Sequence, residues 1–187
     1  MHKRYSAFLV LIYLLSALRL SAQNVRKVDS TSQLCHQWSL GIQYGTIFAH
    51  SEAVQNTKGA RPVGLDLRYG FRKIKPATYF KYKQYPVSGI GLLFTDYDSP
   101  ILGQSIISYY YFSPSLFQSK HVSILLHCAG GVAYLDKPFH PTSNPFNQSY
   151  STRFNAFLGL GLIAKMHLKS NWYLTTEIHY QHISNGG

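Results

Sequence analysis

The strongest constraint on the fold of this chain is an alternation of apolar residues with polar or small ones, at a period of two. It is clearest between Arg153 and Lys169, where arginine, asparagine, glycine, lysine and histidine occupy seven of the nine odd-numbered positions. The apolar positions between them are Phe154, Ala156, Leu158, Leu160, Leu162, Ala164, Met166 and Leu168. Successive side chains of a β-strand point to opposite sides, so this pattern predicts one long strand with a continuous apolar face.

Six further segments show the same kind of pattern. The seven predicted strands begin near Trp38, Val63, Val87, Leu102, Val122, Arg153 and Trp172. The third and fourth, up to Phe112, alternate less clearly than the others. No segment after residue 22 has a helical period, so the sequence predicts an all-β domain.

Two all-β architectures fit these strands. A soluble sandwich would bury its apolar faces in a shared core, whereas an outer-membrane barrel would turn them to lipid and fill its interior with polar and small residues. Charged residues make up only 13% of the chain, about half the usual share of a soluble domain. Aromatic residues also lie near the predicted strand ends, namely Trp38, Tyr85, Tyr134, Trp172 and Tyr180. The sequence therefore favours an antiparallel transmembrane β-barrel.

Bacterial single-chain barrels have an even number of strands, so the seven predicted strands indicate a barrel of about eight. We expect the closing strand to be missing because the sequence stops at Gly187. The alternative is a miscount between Val87 and Phe112, where the alternation is weak.

The N-terminus has the pattern of an export signal. Lys3 and Arg4 precede an apolar run, and Leu20-Ser21-Ala22 is typical of a cleavage site. The run is shorter than the roughly 20 residues that span a bilayer. We predict a signal peptide at 1–22, a flexible leader at 23–37 and an outer-membrane barrel domain at 38–187.

The formal net charge of +11 favours anionic partners, and it stays positive without Lys3, Arg4 and Arg19. For an exported chain rich in tyrosine and phenylalanine, we expect lipid headgroups or glycolipid phosphates rather than nucleic acid. The two cysteines, Cys35 and Cys128, are open to a disulfide outside the cytoplasm, and their spacing is not that of a zinc site.

Orientation follows from strand parity, since a chain that starts in the periplasm sends its odd strands outward. The seventh predicted strand then runs outward and ends at the outer rim. The short turn Lys169–Asn171 and the long loop Asp136–Ser151 agree with this direction, whereas Lys73–Tyr85 is long for a periplasmic turn.

A histidine and a serine lie on one face of that last strand. His182 and Ser184 continue its apolar face near the rim, where an imidazole and a hydroxyl can act as base and nucleophile. The segment His182-Ile183-Ser184-Asn185-Gly186-Gly187 resembles the lipid A 3-O-deacylase family, whose active-site strand carries a His-x-Ser-Asn motif followed by glycine.

The resemblance implies a serine esterase that removes an ester-linked 3-hydroxyacyl chain from lipid A in the outer leaflet, without a metal or cofactor. Ser184 would be the nucleophile, His182 the general base, and Asn185 with the Gly186 backbone the oxyanion donors. It also implies an orienting glutamate after the motif, beyond the residues given. Glu177 is predicted on the opposite face of the strand and does not fill that role. Two alternatives stay open: a non-enzymatic barrel that binds a ligand or stiffens the membrane, and a secreted sandwich-type binding module.

Overall fold

A computed structural model describes residues 17–29, 32–48, 52–76 and 85–184. Its strands are β1 (Ala17–Asp29), β2 (Ser32–Tyr44), β3 (Val63–Ile74), β4 (Val87–Asp96), β5 (Gln104–Ser113), β6 (Ser115–Gln118), β7 (Val122–Leu135), β8 (Phe154–His167) and β9 (Trp172–Ser184). A short 3-10 helix, Glu52–Thr57, lies between β2 and β3. Among the described residues, no helix is both long and apolar enough to cross a bilayer.

The strands form one closed antiparallel sheet. Neighbouring strands pair in the order β5-β4-β3-β2-β1-β9-β8-β7, and β5 pairs with β7 to complete the circle. β6 pairs with the same strand, β7, as β5 does. Pro114 separates β5 from β6 and has no backbone N–H for the ladder, so the two act as one interrupted strand. The predicted eight-stranded antiparallel barrel is confirmed.

The closing strand is not missing, because β1 supplies it. β1 pairs with β2 along its length and with β9 from Leu18↔Thr176 to Ala22↔Trp172. Residues 23–29 and 32–37 therefore lie in β1 and β2, which corrects the predicted flexible leader at 23–37 and the start of the barrel at Trp38. A strand held between two others is stabilised by backbone hydrogen bonds, which need no alternating sequence pattern.

The predicted signal peptide overlaps this strand. Residues 1–16 lie outside the described residues, and the predicted cleavage site after Ala22 falls within β1. The signal peptide at 1–22 stays a prediction.

Apolar side chains face outward along the whole wall. On β8, Leu158, Leu160 and Leu162 are all at least half exposed, as are Trp38 and Leu40 on β2. The interior is filled mostly by polar groups, including Ser39, Asp66, Arg68, Ser105, Ser113, His127, Asn155, Lys165, Thr175 and Glu177. Apolar outside and polar inside is the arrangement of a membrane barrel, as predicted.

Two apolar clusters interrupt the polar interior. The first is formed by Val87, Leu93, Ile107, Tyr109, Tyr111, Ala133 and Phe157. The second, formed by Leu102, Leu135 and Tyr150, lies where loops 97–103 and 136–153 meet. Ile183, near the end of β9, packs against both clusters.

The antiparallel order defines two ends of the barrel. The Ser184 end carries the connections from β2 to β3, β4 to β5 and β7 to β8, and the Arg72 end carries those from β1 to β2, β3 to β4, β6 to β7 and β8 to β9. Because β9 is the eighth strand rather than the seventh, β1 begins at the Ser184 end and the parity argument no longer gives β9 an outward direction. Orientation depends instead on loop length.

The two cysteines lie on different sides of the wall. Cys35 is buried and faces inward on β2, whereas Cys128 belongs to the outward-facing set of β7. Both are free. A disulfide between them would have to pass through the sheet, so the open question from the sequence is answered against it.

Candidate functional site

β9 carries the predicted catalytic pair on its outer face. His182 pairs with Leu158 and Ser184 with Ala156 of β8. Side chains alternate along β9, and Ile178 and Tyr180 of the same set are 46% and 62% exposed. His182 is exposed and Ser184 is half-buried. The predicted common face is therefore the lipid-facing one.

The surroundings of this pair are apolar. Leu158, opposite His182, is largely exposed, as are Tyr180 and Phe154 nearby on the outer wall. Polar side chains within such an apolar surface are costly unless they have a function. An imidazole and a hydroxyl on the same face can serve as base and nucleophile for a substrate that stays in the bilayer.

Ile183, between the two, points the other way and anchors the strand. It lies opposite Phe157 of β8 and packs against both interior clusters, the second of which includes Tyr150. This contact fixes the last residues of β9 to the core. The outward direction of His182 and Ser184 follows from it, because neighbours in a strand alternate.

Loop contacts hold the rim beside this strand. The Tyr150 hydroxyl donates to the Leu102 carbonyl at 2.5 Å, and the Asn147 amide donates to the Lys137 carbonyl at 2.7 Å. The Tyr97 and Ser105 hydroxyls are 3.0 Å apart. Burial raises the pKa of both Tyr97 and Tyr150, so their hydroxyls stay neutral and bonded at ordinary pH.

Beneath the site, an ion-pair network crosses the barrel interior. Glu177 lies 2.9 Å from Arg19 Nε, 3.1 Å from Arg68 Nη1 and 2.6 Å from His179 Nε2. Asp66 pairs with both arginines and accepts from the Tyr109 hydroxyl at 2.7 Å. Two carboxylates thus face two guanidinium groups, and their charges balance.

Glu177 is 2% exposed and lies inside the wall, opposite to the face of His182. The predicted position of Glu177 on the opposite face from His182 is confirmed. Its contacts give it a structural role: it ties β9 to β1 and β3 through the network.

A serine–histidine pair inside the barrel was not predicted. Ser113 Oγ lies 3.0 Å from His127 Nδ1, and the His127 ring meets the His179 ring edge-on at 5.1 Å between centroids. Both Ser113 and His127 are 1% exposed, so no acyl chain reaches them. The two residues meet because β5 pairs with β7 when the sheet closes.

The proposed oxyanion donors, Asn185 and Gly186, lie outside the described residues. Within the described part of the chain, no group of three His, Cys, Asp or Glu side chains is arranged to hold a metal ion.

Residues 63–187 match the family model described as Lipid A 3-O-deacylase (PagL). The match covers about two thirds of the chain, from β3 to the His182–Gly187 segment. No curated protein and no solved structure matches the chain.

Proposed function

The chain belongs to the lipid A 3-O-deacylase family, and we propose that it is a serine esterase that removes an ester-linked 3-hydroxyacyl chain from lipid A. The barrel fold and the family suggest an outer-membrane protein that acts on lipid A. The observation that carries the proposal is the position of His182 and Ser184 on the outer face of β9, near the rim. An ester of a membrane lipid meets this face without leaving the bilayer.

The site faces the outer leaflet in this proposal. Outer-membrane barrels have short periplasmic turns and longer extracellular loops. The Ser184 end carries the two longest loops, 45–62 and 136–153, whereas β8 and β9 are joined at the other end by the short segment 168–171. Loop length therefore supports an extracellular position for the Ser184 end.

Ser184 Oγ attacks the acyl carbonyl, and His182 accepts the hydroxyl proton. Asn185 and the Gly186 N–H stabilise the resulting oxyanion. Collapse of this intermediate breaks the ester C–O bond, and His182 returns the proton to the departing glucosamine oxygen. Water, deprotonated by His182, then hydrolyses the acyl-serine and releases a 3-hydroxy fatty acid.

An orienting carboxylate for His182 completes the proposed mechanism. Among the described carboxylates, Asp66 and Glu177 are engaged inside the barrel, and Asp96 and Asp136 accept hydrogen bonds from Gln104. We propose that the carboxylate that orients His182 is none of these four.

The test is to express the full-length gene in a Gram-negative host with a fully acylated lipid A and to analyse that lipid A by mass spectrometry. We expect the loss of one 3-hydroxyacyl chain with the wild type and no loss with Ser184→Ala. Heat-modifiable mobility on a gel shows whether each variant has folded. An unchanged lipid A with folded wild type would refute the esterase and leave a non-enzymatic barrel.

Thr176→Ala is the matched control. Thr176 lies on the same face of β9 as Ser184 and opposite Ala164 of β8, far from the rim. It loses the same kind of group, a hydroxyl, and we expect full deacylation. Deacylation that survives Ser184→Ala would remove Ser184 from the mechanism.

A further inference from the structure

A basic cavity lies at the Arg72 end of the barrel, the opposite end from His182 and Ser184. Its volume is about 290 Å³. Its walls include the side chains of Arg72, Lys120, His121, Lys165, His167 and Tyr173, and none of its lining residues is an aspartate or a glutamate. The proposed esterase mechanism does not involve this cavity.

Lys165 is the most deeply buried of its cations. The residue is only 8% exposed. Its Nζ lies 2.7 Å from the Gln37 side-chain oxygen and 3.9 Å from the centroid of the Tyr173 ring. Both partners are neutral. A cation that has left water is normally balanced by an anion, since neutral groups replace only part of its hydration.

The neighbouring cations lack a counter-charge as well. Among the described residues, no ion pair joins Arg72, Lys120 or Lys165 to a carboxylate. One of the three N–H groups of Lys165 donates a hydrogen bond to Gln37, so the other two remain as donors for a ligand in the cavity.

Charge is distributed unevenly between the two ends. The interior network is balanced, with Arg19 and Arg68 against Asp66 and Glu177. At the Ser184 end, Lys58, Arg61, Lys137 and Arg153 are offset by Asp96, Asp98 and Asp136. At the Arg72 end, the described side chains include no carboxylate and six cations, which are Arg72, Lys73, Lys75, Lys120, Lys165 and Lys169. Such a field concentrates anions at the mouth of the cavity.

We propose that this cavity binds a phosphate group, with Arg72, Lys120 and Lys165 as its direct partners. A guanidinium group matches two phosphate oxygens at once, and the ammonium groups act as point charges. Three converging cations favour a phosphate over a singly charged carboxylate. The phosphate belongs either to a phospholipid headgroup of the adjoining leaflet or to a soluble molecule, since both present the same oxygens.

The test is a titration of the full chain, folded in a non-ionic detergent, with inorganic phosphate followed by calorimetry. We expect saturable binding that Arg72→Gln and Lys120→Gln each weaken by roughly tenfold or more, the effect of removing a hydrogen bond to a charged group. Lys73→Gln is the control, because Lys73 is exposed on the outer side of β3 and loses the same charge. Its affinity should stay within about twofold of the wild type.

Vesicles separate the two sources of phosphate. The titration is repeated in zwitterionic vesicles and in vesicles that contain an anionic phospholipid, at a salt concentration that screens the surface charge. Equal affinity in both points to a soluble phosphate, whereas weaker binding in anionic vesicles points to a competing headgroup. Absence of saturable phosphate binding in detergent and in zwitterionic vesicles would overturn the proposal. An equal loss of phosphate affinity in Arg72→Gln and in Lys73→Gln would overturn it as well. If Arg72→Gln does not fold, Lys120→Gln in its exposed turn replaces it in that comparison.

Discussion

Glu177 gives the sharpest test of how the barrel interior stabilises the site strand. It lies 2.9 Å from Arg19 Nε and 3.1 Å from Arg68 Nη1, and it is 2% exposed. In Glu177→Leu, both guanidinium groups stay buried, and Asp66 is the one carboxylate left to pair with them among the described side chains. Breaking a buried pair in this way costs about 3–5 kcal/mol. Since folded domains are stable by only about 5–15 kcal/mol, a large part of the free energy of unfolding should be lost.

The measurement is urea unfolding in lipid vesicles, followed by tryptophan fluorescence. The chain has two tryptophans, Trp38 and Trp172, and both lie on the outer face at 56% and 48% exposure. Their emission therefore reports contact with lipid. The control is Asp98→Asn, a loop residue with a φ of 50° that asparagine tolerates, for which we expect a change below about 0.5 kcal/mol.

A double variant tests whether charge balance is the cause. Arg68→Met combined with Glu177→Leu leaves one arginine, Arg19, beside one carboxylate, Asp66. We expect the double variant to be more stable than the sum of the single effects predicts, by about 1–3 kcal/mol. Simple additivity, or a loss below about 1 kcal/mol in Glu177→Leu alone, would refute the reasoning.

Three further outcomes follow from the geometry. Ile183→Ala should lower the free energy of unfolding by about 2 kcal/mol and reduce deacylation, since it removes the anchor of the site strand; urea unfolding and lipid A mass spectrometry measure the two effects. Gly131→Ala should prevent folding, because its Cβ would overlap the neighbouring backbone of β5, whereas Gly130→Ala, whose nearest contact is at 4.0 Å, should fold. Heat-modifiable mobility on a gel distinguishes the two outcomes. Because Cys35 and Cys128 are both free, the protein should have the same electrophoretic mobility on reducing and non-reducing gels.

The outer wall of the barrel was predictable from sequence because lipid imposes one simple requirement on it. Every second residue must be apolar, so β2, β3, β7, β8 and β9 were found by period alone. β1 was not found, because Ala17–Asp29 combines the end of an apolar run with a polar segment and reads as the junction of a signal peptide and a leader. What places it in the wall is its pairing with β2 and β9, which sequence periodicity does not encode.

Partners inside the barrel were not predictable for a related reason. Arg68 and Glu177 are 109 positions apart, and they meet only because the sheet closes with a particular register. The alternation of each strand fixes which residues share a face, but a one-residue change of register would move either side chain to the lipid face. The pairing of Ser113 with His127 depends on the same closure between β5 and β7.

β9 shows how the alternation of a strand separates two tasks. Its inward residues, Glu177, His179 and Ile183, are fixed by ion pairs and apolar packing, whereas His182 and Ser184 lie on its outer face. A substitution inside should therefore change stability first, and one outside should change chemistry without changing stability. Because the last inward contact, Ile183, lies between the two proposed catalytic residues, it is the one position on β9 where stability and deacylation should fall together.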